Sequence, residues 1–410
     1  MVPATDPNRF RISVHPASPP GRQTPDVDVP ISGTCAPEFE RVADAFAANF
    51  AERGELGAGV CLRRDGEVVV DLVGGWTDED RTRRWQPDTL VDVYSVGKAI
   101  LAVLVLQLVD EGTLRLDQPI AEVWPEFGAG GKASATVEHA LTHRAGVPAI
   151  REELTDDDLF DWERMTSAIA ATESWYVPGE RLTYHTNVYG HLLGELVRRA
   201  SGTMPGERLR AIAEPLGADV WIGVPEPEQA RCADVVWEQV GLIATAAGMG
   251  GFAEFEAFEG DTLMNLLAHL NPPGYSSIGV VNTRAWRSAQ IGSTSGQATA
   301  AGIARFYGAL LEPGRILSPD LLARATSVQA TGHCPILGEE VSFGLGFQPT
   351  TERRPLGPNP RSFGHFGTGG ALGFADPDAG IAFGYAMNHV VPRWRSTRNQ
   401  ALVAAVYASR

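Results

Sequence analysis

The sequence predicts an α/β (α+β) fold: an antiparallel sheet built from both termini, flanked by helices, with a mainly helical region inserted into it. Strand-like runs occur near residues 57–76 and again after residue 340, whereas residues 115–330 are mostly helical pieces broken by Gly/Pro turns. The stretch AILAVLVLQLVDEG at 99–112 is apolar on every side except at Gln107, the pattern of a helix buried on all faces and too short to cross a bilayer. The expected division is a leader over 1–35, a sheet domain from 36–92 plus 335–410, and a helical domain over 93–334. A cleft between the last two is the natural place for an active site.

The leader is rich in Pro, Ser and Asp without periodicity, and reads as extended or disordered. From Pro37, residues Phe39, Val42, Phe46, Ala47 and Phe50 recur at helical intervals, with Gly54 as the stop. Asp65-Gly66 then stands between two apolar runs, a strong hairpin signal. NVYGHLLGELVRRASG and TAAGIARFYGALLEPG supply helices of the middle region. VSFGLGF, RSFGHFGTGGALGFAD and IAFGYAMNH supply strands, with Asp376-Pro377-Asp378 as the turn between the last two. QALVAAVYAS closes the chain as a helix.

The 410 residues hold 34 Lys+Arg against 50 Asp+Glu, a net charge of −16 with no basic cluster, which excludes nucleic acid as an expected partner. The opening segment has no apolar core after a basic start, and no window reaches the roughly 18 apolar residues of a membrane span, so a soluble, cytoplasmic protein is expected. Four scattered cysteines are expected as reduced thiols. No metal or cofactor is expected: His139 and His143 stand four apart without an evident third ligand, and both Gly-Lys pairs are followed by alanine, unlike a phosphate-binding loop.

Only two of the basic residues are lysines, Lys98 and Lys132. Lys98 directly precedes the apolar helix and lies three residues after Ser95, on the same helical face. A serine needs a neighbouring base to become a nucleophile, and a desolvated amine can serve where an arginine cannot. Lys132, in a Gly-Gly-Lys-Ala loop, is expected to be an ordinary exposed lysine. Tyr184 stands just before a helix, where a phenol could reach a cleft or simply pack. Gly364-His365-Phe366-Gly367-Thr368-Gly369-Gly370 is too glycine-rich for a well-packed strand, and suggests a close backbone approach whose N–H groups could stabilise an oxyanion. The aromatic, glycine-rich segment 240–290, with GMGGFAEFEAF and NPPGYSS, could form a pocket wall or a packed helical cap.

Ser-x-x-Lys on a buried helix, a tyrosine motif about ninety residues later and a glycine-flanked strand motif near the C-terminus resemble the serine β-lactamase and penicillin-binding-protein superfamily. The likeness extends to LxLDQPIAEVWPEF, ALTHRAGVP and PGERLTYHTNVYGHLLGELV, and covers residues 37–410. Its texture is closest to the class C branch, and within it to the family VIII carboxylesterases. The resemblance implies a β-lactamase/transpeptidase-like fold with Ser95 as the acylated nucleophile and Lys98 and Tyr184 as the proton-transfer pair. It also implies an oxyanion hole from the Ser95 and Thr368 N–H groups, and substrate contacts from His185, Asn187, His365, Phe366 and Gly367. Two departures stand out. Thr186 occupies the third position of the class C Tyr-x-Asn motif, and His365 replaces the lysine of Lys-Thr-Gly. Both favour esters or neutral acyl donors over penicillins. The expected chemistry is acyl transfer from a small-molecule ester to water, or alternatively to an alcohol or amine acceptor.

Overall fold

The computed structural model describes residues 9–14, 29–238, 258–391 and 395–409. Its main sheet begins where a leader was expected. Strands β1 (Arg9–Val14) and β2 (Val29–Cys35) pair antiparallel, and β2 continues onto the sheet interior. Of the leader expected to be extended or disordered, residues 9–14 and 29–35 are thus paired strands of the sheet, with β1 at its edge. Pro- and Asp-rich flanks masked the alternation of Phe10, Ile12 and Val14 in RFRISV, which is too short to dominate a composition window.

β3 (Gly57–Arg64) and β4 (Glu67–Gly75) form the expected hairpin, and Asp65 and Gly66 have φ of 50° and 86°, the pair of positive values that a type I′ turn requires. The C-terminal strands are β5 (Gln348–Pro349), β6 (Phe363–Phe366), β7 (Leu372–Asp376) and β8 (Ile381–Met387). The sheet order is β1-β2-β4-β3-β8-β7-β6-β5, so β8 joins the two ends of the chain by pairing antiparallel with β3. Residues 330–343 form a separate two-stranded hairpin rather than part of this sheet.

The helices that matter for the site are α1 (Glu40–Glu52), α2 (Val96–Asp110), α3 (Val188–Ser201), α4 (Gly260–Leu270), α5 (Ala300–Leu311) and α6 (Thr397–Ala408). Successive strand residues point to opposite faces, and β8 uses this to hold helices on both. A side chain at Gly384 would strike the α5 backbone at Ala300, whereas the neighbouring Tyr385 hydroxyl reaches Glu55, which pairs with Arg398 of α6 at 2.6 Å. Glycine thus lets α5 lie against one face while a buried ion pair ties α6 to the other. In α2 every residue from Val96 to Leu106 is buried, as the unbroken apolar run requires, and Gln107 escapes to donate to the Ile316 carbonyl at 3.3 Å. The helix packs against α3 and β6. Among the described residues no helix is long and apolar enough to cross a membrane, and all four cysteines are free and buried.

Lys132 is a second correction. Its side chain is fully buried, and its amine donates to the Ala129, Ala170 and Thr172 carbonyls. The last two are orphan acceptors at the end of helix 162–171, so the lysine completes a helix terminus that its glycine-rich loop gave no reason to suspect.

Candidate active site

Ser95 occupies the N-cap of α2 and is half-buried. Gly97 lets the first turn of the helix press against the 292–296 loop, because a side chain there would meet the Gly292 carbonyl. That loop in turn offers the Ser293 carbonyl to Lys98, whose Nζ lies 3.0 Å from it and 2.9 Å from Ser95 Oγ. Lys98 has no exposed surface. Burial holds its pKa well below the usual lysine value, and among the described residues no carboxylate offsets the lost hydration.

Tyr184 is fixed just ahead of α3 by its N–H, which donates to Cys334 Sγ at 3.2 Å, and by its ring, which stacks on Phe343 with 5.7 Å between centroids. The Lys98 amine lies 4.9 Å from the ring centroid. Burial raises the pKa of the phenol, and the nearby Ser95 side chain partly offsets the rise. Ser95 therefore has close to it both an amine and a phenol that water scarcely reaches.

The glycine-rich strand arrives from the other side. A side chain on Gly367 would collide with the Val93 carbonyl, so glycine here allows the end of β6 to lie against the turn that carries Ser95. Among the described residues, neither the Ser95 nor the Thr368 backbone N–H has an acceptor. Free backbone donors are the groups that stabilise an oxyanion in a serine acyl transfer.

A family model described as Beta-lactamase matches residues 42–408. The chain belongs to the beta-lactamase family. It is 30% identical over 385 residues to the esterase/beta-lactamase LipL of Mycobacterium tuberculosis, spanning 90% of this chain and 85% of that protein. A crystal structure of a family VIII carboxylesterase superposes with a TM-score of 0.83 at 36% identity, covering 93% of this chain and 100% of that one. A penicillin-binding protein homolog from Caulobacter crescentus gives 0.82 at 37% identity over the same shares. The fold is accordingly the β-lactamase/transpeptidase-like arrangement of helices around an antiparallel sheet.

The residues expected from the resemblance to contact substrate differ in what they offer. His365 is buried, and its Nδ1 lies 2.7 Å from the Phe366 carbonyl. A carbonyl only accepts, so Nδ1 carries the proton and Nε2 is a bare acceptor. His185 repeats the device, with Nδ1 2.7 Å from the Thr183 carbonyl. Burial, and then the Lys98 charge, pull His365 down to about 3. Burial pulls His185 down to about 4, with the Thr183 bond opposing and Lys98 adding to the fall. Both rings are neutral at physiological pH, and among the described residues neither Nε2 has a partner. Phe366 is buried, and its N–H donates to Gln348 Oε1 at 3.1 Å.

Asn187 does not join this group. Its amide nitrogen donates to the Ala268 carbonyl at 2.8 Å and Ser276 Oγ at 2.9 Å, and its oxygen accepts from Thr294 Oγ1 at 3.1 Å. Both N–H groups and the carbonyl are occupied in binding α4 and the 276 and 294 segments together. The expectation of a substrate contact is corrected to a structural bridge, because one step along the helix start turns this side chain inward from Thr186. Of the candidate pocket wall at 240–290, residues 240–257 lie outside the described residues, while α4 packs into the cluster holding Tyr184 and Phe343.

Three contributors gave little local signal. The ring of His143 lies 4.7 Å from Tyr184 and 4.5 Å from Tyr189, and its Nδ1 accepts the His185 N–H at 3.1 Å. Ser293 serves through its carbonyl, which any residue could supply. Arg354, ion-paired with Glu339, places a buried cation near Tyr184 and His365. A surface groove of about 520 Å³, lined by Arg63, Arg305 and Arg315 among others, shares no lining residue with this site.

Proposed function

We propose that this protein is a serine esterase that hydrolyses small neutral carboxylic esters through an acyl-enzyme on Ser95. The observation that carries the proposal is the 2.9 Å contact between Ser95 Oγ and a desolvated Lys98. An amine whose pKa has been lowered by burial is an effective base near neutral pH. Lys98 and Tyr184 take the Ser95 proton as a coupled pair while Oγ attacks the ester carbonyl carbon. The carbonyl oxygen becomes an oxyanion held by the Ser95 and Thr368 N–H groups. Collapse breaks the bond to the alcohol oxygen, which leaves with the proton; water then repeats the sequence to release the acid and restore Ser95. The relatives named as esterases support this reading.

Neutral substrates are favoured because His365 stands where the resemblance places a lysine, and an imidazole with a pKa of about 3 offers no positive charge to a carboxylate. Its free Nε2 accepts, and so suits an N–H or O–H of the substrate. The test is hydrolysis of p-nitrophenyl butyrate against its anionic analogue p-nitrophenyl hemisuccinate. The neutral ester is expected to turn over about tenfold better in kcat/KM, and Ser95→Ala should abolish both activities. Full activity in Ser95→Ala would remove the nucleophile from the mechanism, and a preference for the anionic ester would remove the reading of His365.

A further inference from the structure

The residue before the nucleophile is in a conformation that side chains avoid. Tyr94 has φ of +49°, in the left-handed region that costs a non-glycine residue about 1 kcal/mol or more. Something must hold it there, and the contacts around it identify what does. The Tyr94 N–H donates to Asp92 Oδ1 at 2.8 Å, folding the backbone back over two residues. The other oxygen, Asp92 Oδ2, accepts from Trp286 Nε1 at 2.6 Å. Asp92 is 1% exposed and Trp286 fully buried, and the tryptophan sits on a short helix, Arg284–Ser288, whose N-cap Thr283 accepts from its backbone N–H. On its own element, Asp92 lies opposite Gln297 in a short strand pair. The Arg287 charge acts on it, and Tyr94 and Cys232 are other titratable groups that sense its charge.

Resting on the assignment of Ser95 as nucleophile, we propose that Asp92 and Trp286 form a positioning clamp that fixes the strained Tyr94 turn, and through it the Ser95 hydroxyl and N–H. The chemistry explains why the clamp needs a carboxylate. Two N–H donors converge on the two ends of one small side chain, and only a carboxylate accepts at both; an amide accepts at one end and donates at the other. The clamp acts one residue from Ser95. The Val96 and Gly97 N–H groups donate to the Val93 and Tyr94 carbonyls at 3.2 and 2.9 Å, so a shift at Tyr94 is carried directly into the start of α2. A turn that relaxes would misdirect Ser95 Oγ from Lys98 and its N–H from the oxyanion. Displacements of this kind lower kcat and spare ground-state binding.

The experiment compares wild type, D92N, W286F and D92N/W286F on p-nitrophenyl butyrate, with competent serines counted by a fluorophosphonate probe and melting temperatures recorded. D92N sets an amide donor against one of the two N–H donors, and should lower kcat per labelled site about ten- to hundredfold with KM within about twofold. W286F removes the opposing donor; alone it should lower kcat about three- to tenfold, and added to D92N it should restore activity to within about fivefold of wild type. A lowered melting temperature with unchanged kcat per labelled site would show a merely structural aspartate and overturn the proposal, as would a double variant no better than D92N. If D92N does not accumulate as folded protein, the same kcat-without-KM prediction is read from W286F, and an unchanged kcat there overturns the clamp. S95A separates the layers: retained hydrolysis and labelling in S95A would overturn the nucleophile, whereas their loss in S95A beside an unaffected D92N would overturn the clamp alone.

Discussion

The two lysines of this chain are both buried, yet their surroundings make opposite use of an amine. Around Lys132 three backbone carbonyls converge, one for each N–H of an ammonium, so the charged form is hydrogen-bonded on all sides. Burial pulls its pKa toward about 8, and the nearby Glu173 charge opposes that pull. Around Lys98 there is one carbonyl and the Ser95 hydroxyl, and the ring of Tyr184 covers the approach. That amine is left short of acceptors and close to a proton it can take. Burial alone therefore does not mark a catalytic lysine. What separates the two is whether the cation's hydrogen-bonding demand is met by fixed acceptors or left to a reacting partner.

The sharpest way to break this comparison is to replace each lysine by methionine. Lys98→Met should lower kcat/KM for p-nitrophenyl butyrate by about 10³-fold or more, because the base is removed together with its effect on Ser95. Its melting temperature should hold or rise, since a poorly solvated amine gives way to an apolar chain. Lys98→Arg, which keeps the charge without a usable base, should be equally inactive. A Lys98→Met enzyme with near wild-type kcat/KM would make that lysine structural.

Lys132→Met should do the reverse. Stranding three carbonyls should cost about 2–4 kcal/mol of unfolding free energy in a urea titration, with kcat/KM of the folded protein within about twofold of wild type. A large loss of activity without loss of stability would dissolve the contrast.

The smallest effect concerns acid. His185 and His365 titrate near 4 and 3 in the folded chain, below the ordinary histidine value of 6.5. The unfolded chain thus binds more protons between those values, and stability must fall as pH drops from 6.5 toward 4. Melting temperatures across that window should decline in wild type, less steeply in His365→Asn, and with unchanged slope in Lys132→Met. An unaltered slope in His365→Asn would show that the ring near Lys98 contributes nothing to acid lability.

Local signals carried the elements whose identity depends on neighbours in sequence. The Asp65-Gly66 hairpin, the apolar run of α2 and the Ser95/Lys98 spacing belong to this class, because a turn, a helix face and an i,i+3 pair are all decided within a few residues. What escaped was decided across the chain. Lys132 looked exposed because two of its three acceptors lie 38 and 40 residues away; the Ser293 carbonyl meets Lys98 from a distance of 195 residues in sequence, and Trp286 meets Asp92 from 194. A backbone carbonyl has no residue type to betray it. Asn187 misled for a related reason: a residue type expected at a substrate site was one position out of phase, and one position on a helix start is the difference between facing a cleft and facing the core.

The seating of Gly367 against Val93 also bears on how the protein is made. Ribosomes deliver the N-terminal half first, so the helix bearing the proposed nucleophile emerges long before the strand that brings the second proposed oxyanion donor. Until β8 arrives, the β3 edge that it covers stays open to whatever strand is nearby, including another nascent chain. A ribosome that stalls before residue 363 would therefore release a product that carries Ser95, Lys98 and Tyr184 yet is chemically silent and prone to stick. Esterase activity in a translation mixture should rise only with completed chains.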